Sequence, residues 1–134
     1  MTSEHPEMRL ATIYNLTTPL SHPLIVRECV SFLSRLRGLM FYRDLSPDEG
    51  VLLVMREDSI VSSSVHMFFM RFDIAVIWLN TEALVVDTVL AKRWHPAYFP
   101  CKPAKYVLET HPSRLLDFRV GDKIAVRHLS LIHI

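Results

Sequence analysis

A chain of 134 residues is long enough for one hydrophobic core and too short for two ordinary domains. Half of it is apolar and 22% is charged, which excludes a disordered chain. The net charge of +1, with Lys and Arg scattered and never four in a row, gives no global field to recruit nucleic acid or anionic lipid.

Arg9 to Leu16 alternates as a first strand, stopped at Thr17-Thr18-Pro19, and Leu24 to Cys29 is a second. Ser31 is placed to cap a helix running to about Met40, with Phe32, Leu33, Leu36, Leu39 and Met40 at helical spacing. Gly38 near its end signals a stop or a close backbone approach. Residues 44–50 form a loop, and Val51 to Met55 is a buried strand. After a polar connector, the stretch from Ser64 to Leu79 carries His66 and Arg71 into a segment apolar on both faces, read as a strand in which any polar group has to be paired. Phe72 to Leu79 and Leu84 to Leu90 form a hairpin around Asn80-Thr81-Glu82.

Residues 91–103, with Trp94, His95, Tyr98 and three prolines, form a long irregular loop. Lys105 to Glu109 is a strand, Pro112 to Phe118 a short helix with Leu115, Leu116 and Phe118 inward, and Lys123 to Arg127 the last strand, entered through a turn at Val120 to Lys123. These parts predict one α+β, mainly β domain over residues 1–128. Its sheet would be a strongly bent antiparallel one or a small barrel, covered by one main helix at about 31–40 and by short helical turns. Residues 129–134 read as a disordered or non-native tail.

Arg37-Gly38-Leu39-Met40-Phe41-Tyr42-Arg43, Gly50-Val51-Leu52-Leu53, His66-Met67-Phe68-Phe69-Met70-Arg71-Phe72, Val107-Leu108-Glu109 and Val120-Gly121-Asp122 stand in a characteristic order. Over roughly 24–126 the chain resembles a prokaryotic family, the domain of unknown function 192 family (uncharacterised protein family 0127). The resemblance implies a compact, mainly β fold and brings no activity with it. Family members usually carry a proline where Asp73 stands and an aspartate where Ala75 stands. On a strand those two positions share a face, about 7 Å apart. Relatives also tend to have a small residue and a glycine where Thr110-His111-Pro112 follows Glu109.

His66 is a candidate general base, yet no His or Glu follows it at i+2 or i+4 as a metal-ligand pair would require. A hydrogen-bonded structural histidine is the plainer reading. Four of the seven histidines directly precede a proline, which favours scattered loop ends over a metal centre. Glu109 shares a strand face with Val107, so its carboxylate is expected to be desolvated and paired with Arg43, Arg71 or Arg37. The alternative is a raised-pKa acid in a cleft, with Asp73 as partner. The three glycines leave no phosphate cradle, dinucleotide fingerprint or Gly-x-Ser-x-Gly elbow.

The expected function is a non-catalytic binding or accessory domain. It would have a cleft between the 37–50 helix–loop and the 64–73 strand, and Arg43, His66, Met70, Arg71, Trp94 and Glu109 as binding residues. One alternative is a small hydrolase or isomerase using His66 with Asp73 or Glu109; another is a protein–protein interaction domain anchored by the aromatic loop 94–99. Expected partners are a small ligand or a protein, with no nucleic acid, membrane, metal or cofactor. Two cysteines outside any Cys-x-x-Cys spacing, and no basic region leading into an apolar run at the start, place the chain in the cytoplasm.

Overall fold

The computed structural model describes residues 9–129. Seven strands make one sheet: β1 (Leu10–Asn15), β2 (Ile25–Cys29), β3 (Glu49–Ser59), β4 (Ile74–Leu79), β5 (Val85–Ala91), β6 (Ala104–Thr110) and β7 (Ile124–His128). Their spatial order is β5-β4-β6-β3-β2-β1-β7. The sheet is mixed, not wholly antiparallel, because β2 runs parallel to β3. It is also open, not a barrel. Among the described residues its two edges meet at an isolated bridge, Leu84↔Lys123, with backbone bonds from Val85 N–H to Asp122 O (2.9 Å), Ile124 N–H to Ala83 O (2.9 Å) and Gly121 N–H to Val85 O (2.8 Å).

Strand alternation divides the core into two faces. Ile74, Val76 and Trp78 of β4 join Val51, Leu53 and Met55 of β3 and Val107 of β6 on one face. Ala75, Ile77 and Leu79 join Leu52, Leu108, Val26 and Ile13 on the other. The central strands β4, β6 and β3 are buried on both sides, so they read as continuous apolar runs.

The main helix expected over 31–40 is a six-residue helix, α1 (Phe32–Arg37). Ser31 caps it, its Oγ accepting from Ser34 N–H at 3.1 Å. Gly38 ends it at φ +47°, ψ −119°, a backbone conformation open to glycine alone. The apolar spacing of Leu36, Leu39 and Met40 suits a helix, but only Leu39 is fully buried; it drops into the core from the turn after Gly38. Pro112–Asp117 forms a 3-10 helix of equal length, and Leu116, expected inward, is 86% exposed while Phe118 is buried.

The strand expected from Ser64 also starts later, at Ile74. Residues 60–73 form a loop stitched to a second loop. Val65 and Tyr98 exchange backbone bonds (2.9 and 2.7 Å), Met67 N–H reaches His95 O (3.1 Å) and Trp94 N–H reaches Met67 O (2.7 Å). Phe69 at φ +63° breaks any extended run there. Trp78 Nε1 donates to Ser63 O at 2.7 Å and anchors this cover to the sheet. The tail expected at 129–134 lies outside the described residues except for Leu129.

Candidate functional site

Three segments cover the face that carries Val51, Leu53, Val76 and Trp78: the α1 turn to residue 42, the 62–70 loop and the 94–98 loop. Between this cover and the sheet lies a cavity of about 300 Å³. The sheet contributes Leu53, Met55, Ile74 and Glu109; the cover contributes Leu36, Gly38, Leu39, Val65, His66, Met67, Met70 and Ala97. Most of the lining is apolar, but Arg35, Arg37, Ser62 and Ser64 also border it, and the one carboxylate in it is Glu109.

Glu109 sits on the central strand β6, between Val51 of β3 and Val76 of β4. It is only 5% exposed. The ion pair expected with Arg43, Arg71 or Arg37 does not form: among the described residues, ion pairs occur at Lys92–Asp73, Arg114–Asp117 and His128–Glu28 only. No described donor hydrogen-bonds the carboxylate either. Because no fully sealed side-chain polar atom among the described residues lacks a partner, its oxygens keep some exposed surface, and Glu109 lines the cavity. Burial pushes this carboxyl up to about 7, against a smaller downward pull from Arg27.

Arg27 is the cation that sequence reasoning missed. It lies in the same cross-strand row as Val51 and Glu109, its backbone two strand spacings or about 10 Å from that of Glu109. Its guanidinium is committed elsewhere, to Cys29 Sγ (3.2 Å), Gly38 O (3.1 Å) and Tyr42 Oη (3.0 Å). The signal was present in the alternation of β2: Arg27 has the parity of Cys29, which reads as core. Burial also raises the Cys29 thiol, so it is held as an un-ionised core group.

Gly38 joins the two charges. Its carbonyl takes the Arg27 bond, and a Cβ on it would stand 3.1 Å from Glu109 Oε1. Gly38→Ala therefore meets both a positive-φ penalty and the carboxylate, and should lose about 1–3 kcal/mol of stability. Chemical denaturation checks this; a loss within error of zero would mean that the turn relaxes away from β6.

His66 is half-buried at the cavity wall. Phe68 N–H donates to its Nδ1 at 3.3 Å, which leaves the proton on Nε2, 3.4 Å from Leu36 O. The ring thus bridges two walls of the cover through backbone contacts, and no carboxylate orients it. Asp73 lies outside the cavity, accepting from Arg93 N–H (2.9 Å) and pairing with Lys92 (3.6 Å). Arg43 and Asp73 share a separate surface depression with Arg93 and His111.

Of the expected binding residues, His66, Met70 and Glu109 converge on the cavity. Met70 also borders an adjoining groove with Arg71, Arg93, Trp94, Phe41 and Phe69. There Phe41, Phe69 and Trp94 stand half-exposed, their rings 5.5 and 5.3 Å apart in sequence, each at a φ of +63° to +72°. Three large residues together in the left-handed region mark a surface whose shape is imposed by its surroundings. Tyr98, by contrast, packs onto the core and accepts from Lys92 N–H at 3.0 Å.

The family model for DUF192, "Uncharacterized ACR", matches residues 16–126. The chain belongs to this family. It is 38% identical over 102 residues to a UPF0127 protein of Thermococcus kodakarensis (75% of this chain, 63% of the relative). It is 35% identical over 112 residues to one of Pyrococcus furiosus (82% of this chain, 93% of the relative). The chain thus spans just under two thirds of the first of these and nearly all of the second. The DUF192 chain also has the fold of a crystal structure from Sinorhizobium meliloti 1021, provisionally described as a transcription regulator, with TM-score 0.77, 19% identity and coverage of 93% and 98% of the two chains. A structure of a protein of unknown function from Novosphingobium aromaticivorans gives TM-score 0.72 at 18% identity, covering 92% and 91%. In this DUF192 member, Thr110-His111-Pro112 makes a capped turn: His111 Nδ1 accepts from Ser113 N–H at 3.1 Å and opens the 3-10 helix. No helix among the described residues is long and apolar enough to cross a membrane.

Proposed function

We propose that this DUF192 chain is a non-catalytic binding domain for a small, largely apolar molecule that carries one polar group. The molecule occupies the cavity between the sheet and its loop cover, and Glu109 anchors the polar group. One observation carries this reading: a carboxylate 5% exposed, without a hydrogen-bond or ion-pair partner among the described residues, faces a cavity of about 300 Å³. Such a group is costly to keep unless something fills its hydrogen-bonding capacity. Apolar walls with few polar contacts are the usual make-up of small-ligand sites.

The hydrolase or isomerase reading has less support, because both His66 ring nitrogens meet backbone and Asp73 sits elsewhere. The interaction-domain reading keeps one supporting point, the aromatic surface of Phe41, Phe69 and Trp94 beside Arg71 and Arg93. In our reading that surface forms the approach to the cavity, with Met70 common to both. A cytoplasmic setting is part of the proposal; Cys29 and Cys101 stay free thiols, one buried and one exposed.

Two-dimensional NMR of the full chain with a panel of butyl to hexyl alcohols, ketones, amides, amines and carboxylates tests the proposal. Shifts should concentrate at residues 53–55, 65–70 and 109, and Ala97→Phe, which fills the cavity, should abolish them while leaving the thermal midpoint nearly unchanged. Shifts confined to the aromatic surface, or none with any compound, would remove the cavity as a binding site.

A further inference from the structure

The ligand class follows from what surrounds Glu109, and it rests on the cavity being the binding site. From a mostly apolar cavity wall and a carboxylate that has no hydrogen-bond partner among the described residues, we infer that the cavity takes a short-chain primary alkylammonium. Its hydrocarbon stem lies along Leu39, Leu53, Met67, Met70 and Ile74, and its ammonium meets Glu109.

Charge excludes the other classes in turn. An anion would be brought against a buried acid. A neutral acceptor would leave the ionised carboxylate as desolvated as before, and a neutral donor would satisfy part of its hydrogen-bonding capacity without cancelling its charge. An ammonium offers three donors and the missing opposite charge together. Within the protein, Arg27 offsets only part of the carboxylate's charge and gives it no hydrogen bond. Arg27 stands across Val51 with its nitrogens bound to Cys29 Sγ, Gly38 O and Tyr42 Oη.

Arg35 and Arg37 also border the cavity, so Glu109 has to draw the ammonium in against them. From β2, Cys29 is held un-ionised by burial. From α1, Arg35 is tied to Val30 O (2.7 Å) and Val54 O (3.3 Å), and Arg37 is exposed to screening solvent. From the loop cover, His66 carries its proton on Nε2 and points it at Leu36 O. The facing residues of β3 and β4 are Val51, Leu53, Met55, Ile74 and Val76, none of them titratable. The stem also suits the walls. Thioethers and branched aliphatic groups accommodate a flexible methylene chain, and a cavity of this volume holds a chain of only a few carbons.

The class fixes the sign of the pH dependence. The ammonium stays charged to pH 9 and beyond, whereas Glu109 passes from acid to carboxylate near 7. Ammonium binding should therefore strengthen by about tenfold from pH 6 to pH 8.5. A neutral acceptor, which needs the carboxyl proton, should weaken over the same interval.

Titration of the full chain with n-pentylamine and with 1-pentanol, at pH 6 and pH 8.5 and constant ionic strength, separates the possibilities. The expected result is amine binding at least tenfold tighter than alcohol binding at pH 8.5, with the predicted loss at pH 6. Glu109→Gln should lose the amine preference and keep the weak alcohol binding, which shows in the same experiment that the variant is folded. Alcohol binding equal to or tighter than amine binding, amine binding that ignores pH, or amine binding unchanged in Glu109→Gln would overturn the ammonium assignment and leave the cavity reading standing. Binding of neither compound would overturn both.

Discussion

Glu109→Gln should make the protein more stable at pH 8, by up to about 3 kcal/mol, and leave it nearly unchanged near pH 4.5. Folding raises this carboxyl from its ordinary 4.5 to about 7, because the charged form is desolvated on β6 and Arg27 offsets only part of that cost. A raised carboxyl is one that the folded protein keeps protonated while the unfolded chain has already released the proton. Between those two values stability therefore falls as pH rises, by about 1.4 kcal/mol per pH unit. Glutamine has the shape of the protonated acid and does not titrate, so the fall should vanish. Urea titrations of both proteins at pH 4.5, 6 and 8 would measure it. Equal pH profiles, or a variant less stable at pH 8, would show that the carboxylate has a partner in solution.

A second large effect should come from Arg114→Met, with a loss of about 3–5 kcal/mol, a large part of a typical domain's total. Arg114 is buried, and its guanidinium binds Asp117 Oδ2 (2.6 Å), Pro47 O (2.8 Å), His22 O (3.0 Å) and Pro23 O (3.2 Å). One side chain thus ties the 3-10 helix to the loops that precede β2 and β3, whose parallel pairing no short hairpin could enforce. Methionine would leave three carbonyls and a carboxylate without their donor. Arg114→Lys should recover little, since an ammonium cannot span the planar fork of contacts. Denaturation of both variants, with amide exchange at residues 45–49, would check this; a lysine variant within about 1 kcal/mol of the parent would show that charge alone suffices.

Much of the sheet was legible because its strands obey simple rules. Ile74 to Leu79 and Val51 to Met55 are short apolar runs bounded by turn residues, and both are central strands. The parts that misled are those where local pattern and tertiary demand diverge. Leu36, Leu39 and Met40 have helical spacing, yet Gly38 and its bond from Arg27 stop the helix and turn the chain inward. Residues 64–73 are apolar enough for a strand, but positive φ at Phe69 and bonds to the 94–98 loop make them a cover instead. At the site, the burial of Glu109 followed from its parity with Val107, while its want of a partner did not. The arginines nearest in the motif are exposed, and the one on its own face gives its hydrogen bonds to Gly38, Tyr42 and Cys29. Arg114 gave no local signal at all, since its four contacts lie in segments distant in sequence except for Asp117.

The pairing of β1 has a kinetic side. Leu10–Asn15 is matched to β7 over five residues and to β2 over three, so the first strand of the described chain depends most on the last. During synthesis β1 must wait, incompletely held, until residues 124–128 have left the ribosome. Assembly in the cell is then governed by the arrival of residues 124–128, and a ribosome stalled shortly before them would present an unfinished sheet edge to the quality-control machinery.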